Sequence, residues 1–444
     1  MKKVLFFALL FLPLWLMAQE LPFTVKSRTK FSSSAILGYE KVDSVRYYQL
    51  RFIQEFNLWK FGLGLDLDFL FDKRISLRKD EWNELEDLLD KIYYLNYGKK
   101  GDTFFFHLGG FPGLTLGNGL VMQNYSNMLL YPDLRKTGLM LGGSPHWPTQ
   151  PSFELFASDL QRAPVLAMAA RFKPLPDSTL KVLDQINLGF SLATDTNQYG
   201  NLRHLVADSL ACDVDLLGRK PATVFGLAYT LPMVKNEKMT LGHYVEFSHI
   251  LNYGSGVILP GIYADFKALR VNLEYRLYGG QYVPAYFDHY YEEDRAVTQE
   301  DELDPFVTKV ESLASVKASR GWNGSIQATF SHKVKTRFAW QNMIGRKLKT
   351  GKSIWFSVWV DTQYKRLENV SLSYSKIKTE RMSIQKFYEP NTDIKSYLTF
   401  RISKKRWFLI AKYSESFRDR NKDGRINWIK EVRRSVGAGL KYIY

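Results

Sequence analysis

Residues 61–72 read F-G-L-G-L-D-L-D-F-L-F-D, with an apolar side chain at every odd position from Phe61 to Phe71. Small or acidic residues fill the positions between them, and Leu70 is the one departure. Successive side chains of a β-strand point to opposite faces, so a period of two predicts a strand with one apolar and one polar face.

The same alternation returns along the rest of the chain. Apolar residues occupy every second position in residues 186–192, 269–277, 326–330, 354–360, 370–374, 398–402 and 436–444. A soluble sandwich or propeller would bury these apolar faces in a core, whereas an outer-membrane barrel turns them toward lipid. The period alone therefore predicts an all-β protein and leaves both architectures open.

Aromatic residues and loop lengths favour the barrel. Aromatic pairs such as Tyr47 and Tyr48 lie near strand ends, as in the interfacial girdles of membrane proteins. In the last quarter, short turns at 331–336, 363–369 and 403–406 alternate with longer ones at 345–353, 376–393 and 417–428. Outer-membrane barrels alternate short periplasmic turns with longer external loops. We therefore expect a transmembrane antiparallel β-barrel.

The barrel accounts for nearly the whole chain of 444 residues. At about ten residues per strand plus turns, it would hold roughly 16 to 20 strands in a single domain, residues 19–444. Residues 80–91 and 298–316 have helical spacing and predict short helical insertions.

The N-terminus has the layout of a secretory signal. Lys2 and Lys3 precede an apolar run over residues 4–16, and Ala18 offers a small residue for cleavage. The run is shorter than the ~20 residues of a membrane-spanning helix, which disfavours the alternative of an N-terminal anchor. We expect residues 1–18 to be a cleaved signal peptide and the mature protein to reside in the bacterial outer membrane.

Composition limits the partners. The 61 Lys and Arg against 45 Asp and Glu give a net charge of +16, which by itself would favour nucleic acid. An exported protein does not meet nucleic acid, so we expect none. The single Cys212 excludes an intramolecular disulfide or a cysteine-rich metal site. Neither zinc-protease spacing of histidines nor a G-x-S-x-G elbow occurs, and we expect no enzymatic activity.

Three stretches suggest a family. They are DLLDKIYYLNYGKKGD at 87–102, GGFPGLTLGNGLVMQNYSNMLLYPDLRK at 109–136 and EYRLYGGQYVPAYFDHYYEEDR at 274–295. Together they resemble a group of uncharacterised porin-like outer-membrane β-barrel proteins of Gram-negative bacteria. The resemblance implies the fold and the compartment, and it implies no substrate.

One of these stretches is rich in glycine. Such density permits sharp bends and close backbone approach, so we expect a kinked strand or an inward-folded constriction rather than a phosphate loop, which would need a following G-K-[ST]. The residues after the glycines could line a pore or pack as a loop. The glycines are Gly109, Gly110, Gly113, Gly117 and Gly119, and the residues after them are Asn124, Tyr125, Asn127, Tyr131 and Asp133.

A loop near the C-terminus has the spacing of calcium ligands. Alternate positions carry oxygen donors, Gly424 stands at position 6, and an Arg would contribute only its backbone carbonyl. Lys430 stands where a bidentate acid belongs, with Glu431 one residue late, and a plain D-G turn needs no metal. A structural Ca²⁺ in 419–431 is thus one of two hypotheses, and no other cofactor is expected. The candidate ligands are Asp419, Asn421, Asp423, Arg425 and Asn427.

Residues 288–294 combine Asp288, His289 and three further acids with several tyrosines. A metal or a sugar could bind there, but charge runs are usually solvated, and we expect a solvated acidic loop.

The positive charge is regional. Residues 331–444 carry 27 Lys and Arg against 9 Asp and Glu, a net of +18, and the rest of the chain is slightly acidic. Strand parity places six of the basic residues in the lumen, where they would favour anions unless inward acids such as Asp66 and Asp68 neutralise them. They are Arg337, Lys395, Arg401, Lys412, Arg433 and Lys441.

Two functions follow as expectations. The first is an outer-membrane channel for small hydrophilic solutes, with anions as a candidate class. The second is a surface or scaffold barrel with a plugged lumen, whose external loops bind a partner. The expected partners are a small solute, outer-membrane lipid and lipopolysaccharide, whose phosphates could bind loop cations. These are Arg346, Lys347, Lys349 and Lys352.

Overall fold

The computed structural model describes most of the chain after residue 29. The described residues are 30–42, 45–78, 91–131, 134–162, 164–176, 183–202, 218–298, 306–330, 333–346, 348, 350–364, 366–380, 382, 388–403, 406–419, 426–429 and 431–444. The predicted signal segment 1–18 and residues 80–90 of the predicted helical insertion 80–91 lie outside them.

Twenty of the strands form one closed antiparallel sheet. They are β1 (Phe31–Val42), β2 (Val45–Leu58), β3 (Phe61–Phe71), β4 (Ile92–Tyr97), β5 (Phe105–Gly109), β8 (Gly138–Gly143), β9 (Ser152–Ala157), β10 (Val165–Phe172), β11 (Asn187–Asp195), β12 (Ala222–Lys235), β13 (Met239–Ile250), β14 (Ser255–Phe266), β15 (Leu269–Tyr278), β18 (Ser319–Phe330), β19 (Val334–Gly345), β20 (Lys352–Tyr364), β21 (Leu367–Thr379), β22 (Thr392–Arg401), β23 (Trp407–Phe417) and β24 (Val432–Ile443).

Short elements lie in the connections between these strands. They are the hairpin of β6 (Leu114–Leu116) and β7 (Met122–Tyr125), the hairpin of β16 (Ala296–Thr298) and β17 (Phe306–Thr308), the helices α1 (Tyr291–Asp294) and α2 (Lys309–Ser312), and 3₁₀ turns at Leu183–Gln185, Gln198–Asn201 and Leu313–Ser315. None of the helices in the described residues has the length and apolar character needed to cross a bilayer.

Each of the twenty barrel strands pairs with the preceding barrel strand, and β24 pairs with β1 to close the barrel. Ser32 lies opposite Ile443 and Lys41 opposite Arg434 in that last ladder. Closure leaves no unpaired sheet edge, which is the condition for crossing a membrane with strands. The prediction of an antiparallel barrel of 16 to 20 strands with short helical insertions is confirmed.

Strand parity sets the two faces of the wall. On β3, Asp66 and Asp68 point into the barrel and are each 1% exposed. Outward positions on other strands, such as Phe190 and Leu273, keep more than a third of their surface exposed. A soluble monomer rarely exposes so continuous an apolar surface, so this outer face is the membrane-facing band.

The two ends of the barrel differ. At one end the connections are short, as at 59–60 and 267–268, and we call it the short-turn end. At the other end, the long-loop end, the connections include 110–137 and 279–318. The alternation predicted for the last quarter of the chain is present from β18 to β24, whereas elsewhere the 43–44 connection is short at the long-loop end and the 173–186 connection is long at the short-turn end.

One predicted insertion differs from the structure. The spacing in 298–316 predicted a single helical stretch, but residues 306–308 form β17, and α2 covers only Lys309–Ser312. Thr308 caps α2 with Glu311 in a reciprocal capping box, and this local signal starts the helix later than the periodicity suggested.

Candidate functional site

Two connections at the long-loop end fold back into the lumen. The described parts of the first, 110–131 and 134–137, include the β6–β7 hairpin, and those of the second, 279–298 and 306–318, include α1 and α2. We call these residues the plug. They coincide with two of the stretches that carry the family resemblance. Most of these two stretches is thus inside the barrel, whereas 87–102 and 274–278 include residues of the wall strands β4 and β15.

The two halves of the plug share one core. The backbone N–H of Ala285 donates to the carbonyl of Leu120 at 2.8 Å, and that of Gln123 donates to the carbonyl of Phe287 at 3.1 Å. Leu120 and Phe287 are fully buried. Apolar burial and backbone pairing together hold the halves as one unit.

The glycine run brings the chain into the lumen. Gly109 ends β5 with φ +124°, where a Cβ would lie 2.4 Å from the carbonyl oxygen of Tyr93. At the tip of the β6–β7 hairpin, Gly117 has φ +63° and lies against the carboxylate of Glu246 on β13. Only glycine combines these conformations with such close approach. Of the other predicted glycines, Gly110 and Gly113 lie on the inward path and Gly119 follows Gly117 in the hairpin turn.

Glu292 on α1 is the main anchor between the two halves of the plug. Its carboxylate accepts hydrogen bonds from Lys136 Nζ at 2.6 Å, Asn201 Nδ2 at 2.7 Å, Arg295 at 3.2 Å and the hydroxyl of Tyr125. Glu292 is 1% exposed. Two cations and two neutral donors therefore surround one buried carboxylate, which satisfies the charge that burial would otherwise penalise.

The neighbouring charges tie the plug to the wall. Arg295 donates to Asp195 at the end of β11 at 3.2 Å, and Arg418, just after β23, donates to Glu293 at 3.2 Å. Asp288 accepts from Lys378 on β21 at 2.6 Å. The plug is thereby fastened on several sides of the barrel.

The prediction of a solvated acidic loop at 288–294 is wrong for most of this segment. Asp288 and Glu292 are buried, and the ring Nδ1 of His289 lies 3.3 Å from the carbonyl oxygen of Asn124 in the other half of the plug. Burial, with Lys395 nearby, lowers the pKa of His289 to about 4, so its ring is neutral at pH 7. Asp288, Glu292 and Glu293 each meet a buried cation, whereas Asp294 is 45% exposed.

The residues after the glycines pack the plug together. Tyr125 is fully buried, and the side chain of Asn127 accepts from the backbone N–H of Phe111 at 2.7 Å and donates to the carbonyl of Ser158 at 2.9 Å. Tyr131 donates its hydroxyl to Asp68 on β3. Asn124 lines the cavity described below, and Asp133 lies outside the described residues.

The anchor predicts a pH dependence of the plug. Burial raises the pKa of Glu292, but Lys136 and Arg295 outweigh it and lower the pKa to about 2, from an ordinary 4.5. Because this pKa is lowered, the ionised carboxylate stabilises the docked plug above pH 4.5, and the stabilisation is lost as the pH falls toward 2. Near-ultraviolet circular dichroism of the packed tyrosines should hold from pH 7 to 4.5 and decline below about 3.

Far-ultraviolet circular dichroism serves as the control, because the barrel strands should keep their signal over that range. A loss of the tyrosine signal centred near pH 4.5 would contradict a salt-bridged Glu292.

The six predicted lumen cations are on inward-facing positions, and four of them meet an acid, an amide or a backbone group. Lys441 lies 3.2 Å from Glu55 on β2, and Lys412 donates to Gln49 at 2.8 Å. Arg433 donates to the carbonyl of Leu129 in the plug at 3.1 Å and lies 3.6 Å from Glu293, while Arg401 pairs with Glu368. Lys395 is half-buried on β22, and Arg337 lines the cavity.

An open cavity of about 2070 Å³ remains beside the plug. It follows the inner face of the wall mainly from β12 to β21. Eighteen Ser, Thr, Asn and Gln residues line it, with eight Lys and Arg against seven Asp and Glu. The charged lining residues are Arg171, Lys235, Arg270, Arg276, Lys309, Lys317, Arg337 and Lys378, and Asp265, Glu274, Asp288, Asp294, Glu380, Glu389 and Asp419.

The calcium hypothesis stays a prediction. Asn421, Asp423 and Arg425 lie outside the described residues, whereas Asp419 lines the cavity. Asn427 accepts from the backbone N–H of Ile429 at 3.0 Å, and Glu431 accepts from that of Asn427 at 2.7 Å. The described residues contain no group of three or more His, Cys, Asp and Glu side chains placed to hold a metal ion.

Sequence reasoning missed the cations that anchor the plug. Lys136 follows the conspicuous glycine run by many residues, and Arg295 closes the acidic segment, yet neither lies in a motif with a recognisable spacing. Their partners come from distant parts of the chain, so no local pattern marks them. The one available signal was the coincidence of acids and a terminal Arg within 288–295.

No family model matches the sequence, and no curated protein matches it. Wzi of Escherichia coli, described as an outer membrane protein involved in group 1 capsule assembly and a carbohydrate-binding β-barrel, is similar in structure with TM-score 0.38 and 9% identity, covering 94% of this chain and 85% of that chain. OprD of Pseudomonas aeruginosa has TM-score 0.34 and 8% identity, with 94% of each chain covered. OccAB3 of Acinetobacter baumannii has TM-score 0.34 and 9% identity, covering 94% and 99%. The family resemblance itself stays a prediction.

Proposed function

We propose that the protein is a non-enzymatic outer-membrane channel that passes small hydrophilic solutes along its partly filled lumen. The observation that carries the proposal is the polar cavity of about 2070 Å³ between the plug and the wall. Polar side chains keep such a space wetted, and a wetted path through a barrel lets polar solutes bypass the hydrocarbon layer.

The cavity extends along the barrel. Its lining includes Asp265 and Arg270, which flank the 267–268 turn at the short-turn end. It also includes Thr350 and Pro390 in connections at the long-loop end. A space lined from both ends supports a passage rather than a surface pocket.

The apolar outer face supports a place in a membrane, which we propose is the outer membrane. In this proposal the short turns face the periplasm and the long loops face outside, as in other outer-membrane barrels. The predicted signal segment 1–18 would provide export. Arg346 and Lys352 flank a long-loop connection and would be available to lipid phosphates, whereas Lys347 and Lys349 lie outside the described residues.

Solute charge is a separate question. The sequence predicted a basic wall and anions as a candidate class, but only Arg337 of the six cations lines the cavity. The nearly equal numbers of acids and bases in the lining support weak charge selectivity. We therefore extend the proposal to hydrophilic solutes in general, with anions as one class to be tested.

A plugged scaffold is the second candidate. The Lys136–Glu292 pair and a shared core join the two halves of the plug, and the Arg295–Asp195 and Glu293–Arg418 pairs tie it to the wall, so the plug is a built part of the barrel. If the cavity does not conduct, the same construction would serve a barrel whose external loops bind a partner.

Planar-bilayer recording tests the channel. We expect discrete conductance steps for the purified protein, and a shift of the reversal potential toward cations in Arg337→Glu, because charge beside a narrow aqueous path focuses the potential. Arg401→Glu is the matched control, since Arg401 pairs with Glu368 outside the cavity lining and should shift the potential less.

Absence of conductance in correctly folded protein would reject the channel and favour the scaffold. Equal shifts in the two variants would mean that ions do not pass through this cavity.

A further inference from the structure

A network of planar polar side chains lies on the cavity wall. Glu274 and Arg276 on β15, Asn323 on β18 and Gln341 on β19 all line the cavity, together with Tyr244 on β13. We call these five residues the polar row. The antiparallel register places Glu274 opposite Asn323 and Asn323 opposite Gln341, so one carboxylate and two amides are neighbours across three strands.

The polar row is held in place by its own hydrogen bonds. Arg276 donates from Nε to Glu274 at 2.6 Å and from Nη1 to Gln341 at 3.0 Å. Asn323 donates to the same carboxylate at 3.1 Å, and Tyr244 donates its hydroxyl to it. Glu274 is 5% and Arg276 2% exposed, so both charges are buried and paired with each other. The row presents fixed donors and acceptors without a net charge.

Two aromatic rings flank the neighbouring row of inward positions. The register runs from Tyr263 on β14 through Asn272, Ser325 and Ala339 to Trp355 on β20. Four strand spacings separate the two aromatic residues, roughly 19 Å along the curved wall. Asn272 donates to Ser325 at 3.1 Å between them. The wall thus carries amides and hydroxyls between two aromatic side chains, over a length that suits a short chain of sugar rings.

This combination of groups selects a class of solute. A sugar hydroxyl both donates and accepts, which matches the amide groups of Asn323 and Gln341. The C–H face of a sugar ring packs against an aromatic face such as that of Trp355. An anion or a cation would have to compete with the Glu274–Arg276 pair for its partner, whereas a neutral solute leaves that pair intact.

We propose that this wall binds neutral saccharides, with the polar row contacting hydroxyls and Tyr263 and Trp355 contacting ring faces. The inference deepens the proposed function, because it rests on the same cavity and names the class of solute that the cavity takes.

Titration calorimetry on the folded, detergent-solubilised protein tests the site directly. The probes are glucose, galactose and mannose with their disaccharides and trisaccharides, and glucuronate and inorganic phosphate are the charged comparators. We expect a neutral saccharide to bind more tightly than either comparator, and the same saccharide to reduce the bilayer current in a concentration-dependent manner.

Two tryptophan substitutions separate the site from general damage. Trp355→Ala should weaken saccharide binding about tenfold, in line with the loss of one aromatic contact. Trp322→Ala is the matched control, because Trp322 lies on β18 of the same wall, faces outward and is 47% exposed. It should bind as the unaltered protein does.

The outcomes distinguish this inference from the proposed function. Conductance without binding of any neutral saccharide, or with tighter binding of the charged comparators, would overturn the saccharide site and leave the channel. Binding that Trp355→Ala weakens, in a protein that does not conduct, would support the site and reject the channel. Equal binding by both tryptophan variants would place the saccharide elsewhere and overturn the site.

Discussion

Replacing Glu292 by glutamine is expected to loosen the packing between the two halves of the plug while leaving the barrel folded. The substitution keeps the shape of the side chain and removes its charge, so Lys136 and Arg295 lose a buried counter-ion. Removing one partner of a buried ion pair costs about 3 to 5 kcal/mol. Hydrogen exchange in plug peptides should therefore accelerate roughly a hundredfold to several thousandfold, and exchange in the strands should not change.

Glu311→Gln is the matched control in the same plug. Glu311 pairs with Lys220 at 2.6 Å, but the side chains are 32% and 46% exposed, so this pair contributes about 1 kcal/mol or less. A glutamine also keeps an acceptor for the capping box at Thr308. If the two variants exchange at the same rate, Glu292 does not anchor the plug.

A double substitution tests the pairing itself. Lys136→Met combined with Glu292→Gln removes the buried cation together with its anion, and it should recover much of the protection that Glu292→Gln loses. Additive effects of the two substitutions would show that Lys136 and Glu292 act independently, contrary to their 2.6 Å contact.

The wall of the barrel could be predicted from the sequence because its cause is local. The alternation in residues 61–71 indicates which side chains face lipid. The lengths of the connections in the last quarter of the chain indicate at which end of the barrel each connection lies. Each of these two signals can be recognised within one short segment of the sequence. The pairing of β1 with β24, by contrast, joins the two ends of the chain and is not marked by a local pattern.

The plug could not be predicted because its stability depends on distant residues. Glu292 meets Lys136 across 156 positions and Asn201 across 91. A run of acids usually lies in solvent, and only tertiary partners reverse that rule here. The glycines did signal an inward turn, because a positive φ and a close approach restrict the residue type at Gly109 itself.

The sequence showed where the basic residues are, but it did not show which acids lie beside them in the barrel. Parity places Lys412 and Lys441 on the inner face, but closure of the barrel sets them beside the acidic strands from the other end of the chain. Lys441 and Glu55 are 386 positions apart and meet at 3.2 Å. A regional net charge therefore says little about a lumen in which first and last strands are neighbours.

Removing the second half of the plug is expected to open the lumen. In this variant a short Gly-Ser linker replaces residues 282–316 and joins Gln281 to Lys317 across the wall. The deleted residues include Tyr286, Phe287 and Tyr291, all fully buried, so the deletion empties space that no wall strand can fill. Barrels of 16 to 18 strands already leave an aqueous channel when nothing occupies them, so conductance should rise by roughly threefold or more.

The rise in conductance distinguishes the channel from the scaffold, because its size depends on whether the protein with its plug already conducts. If the cavity already conducts, the deletion enlarges an existing step and reduces ion selectivity, since the lining loses Lys309 and Asp288 together. If the barrel is a closed scaffold, conductance appears only in the deletion variant. Leu273→Ala, an outward substitution on β15, should leave conductance unchanged. An unchanged conductance in the deletion variant would show that the plug does not limit the passage, and that ions take a route outside this lumen.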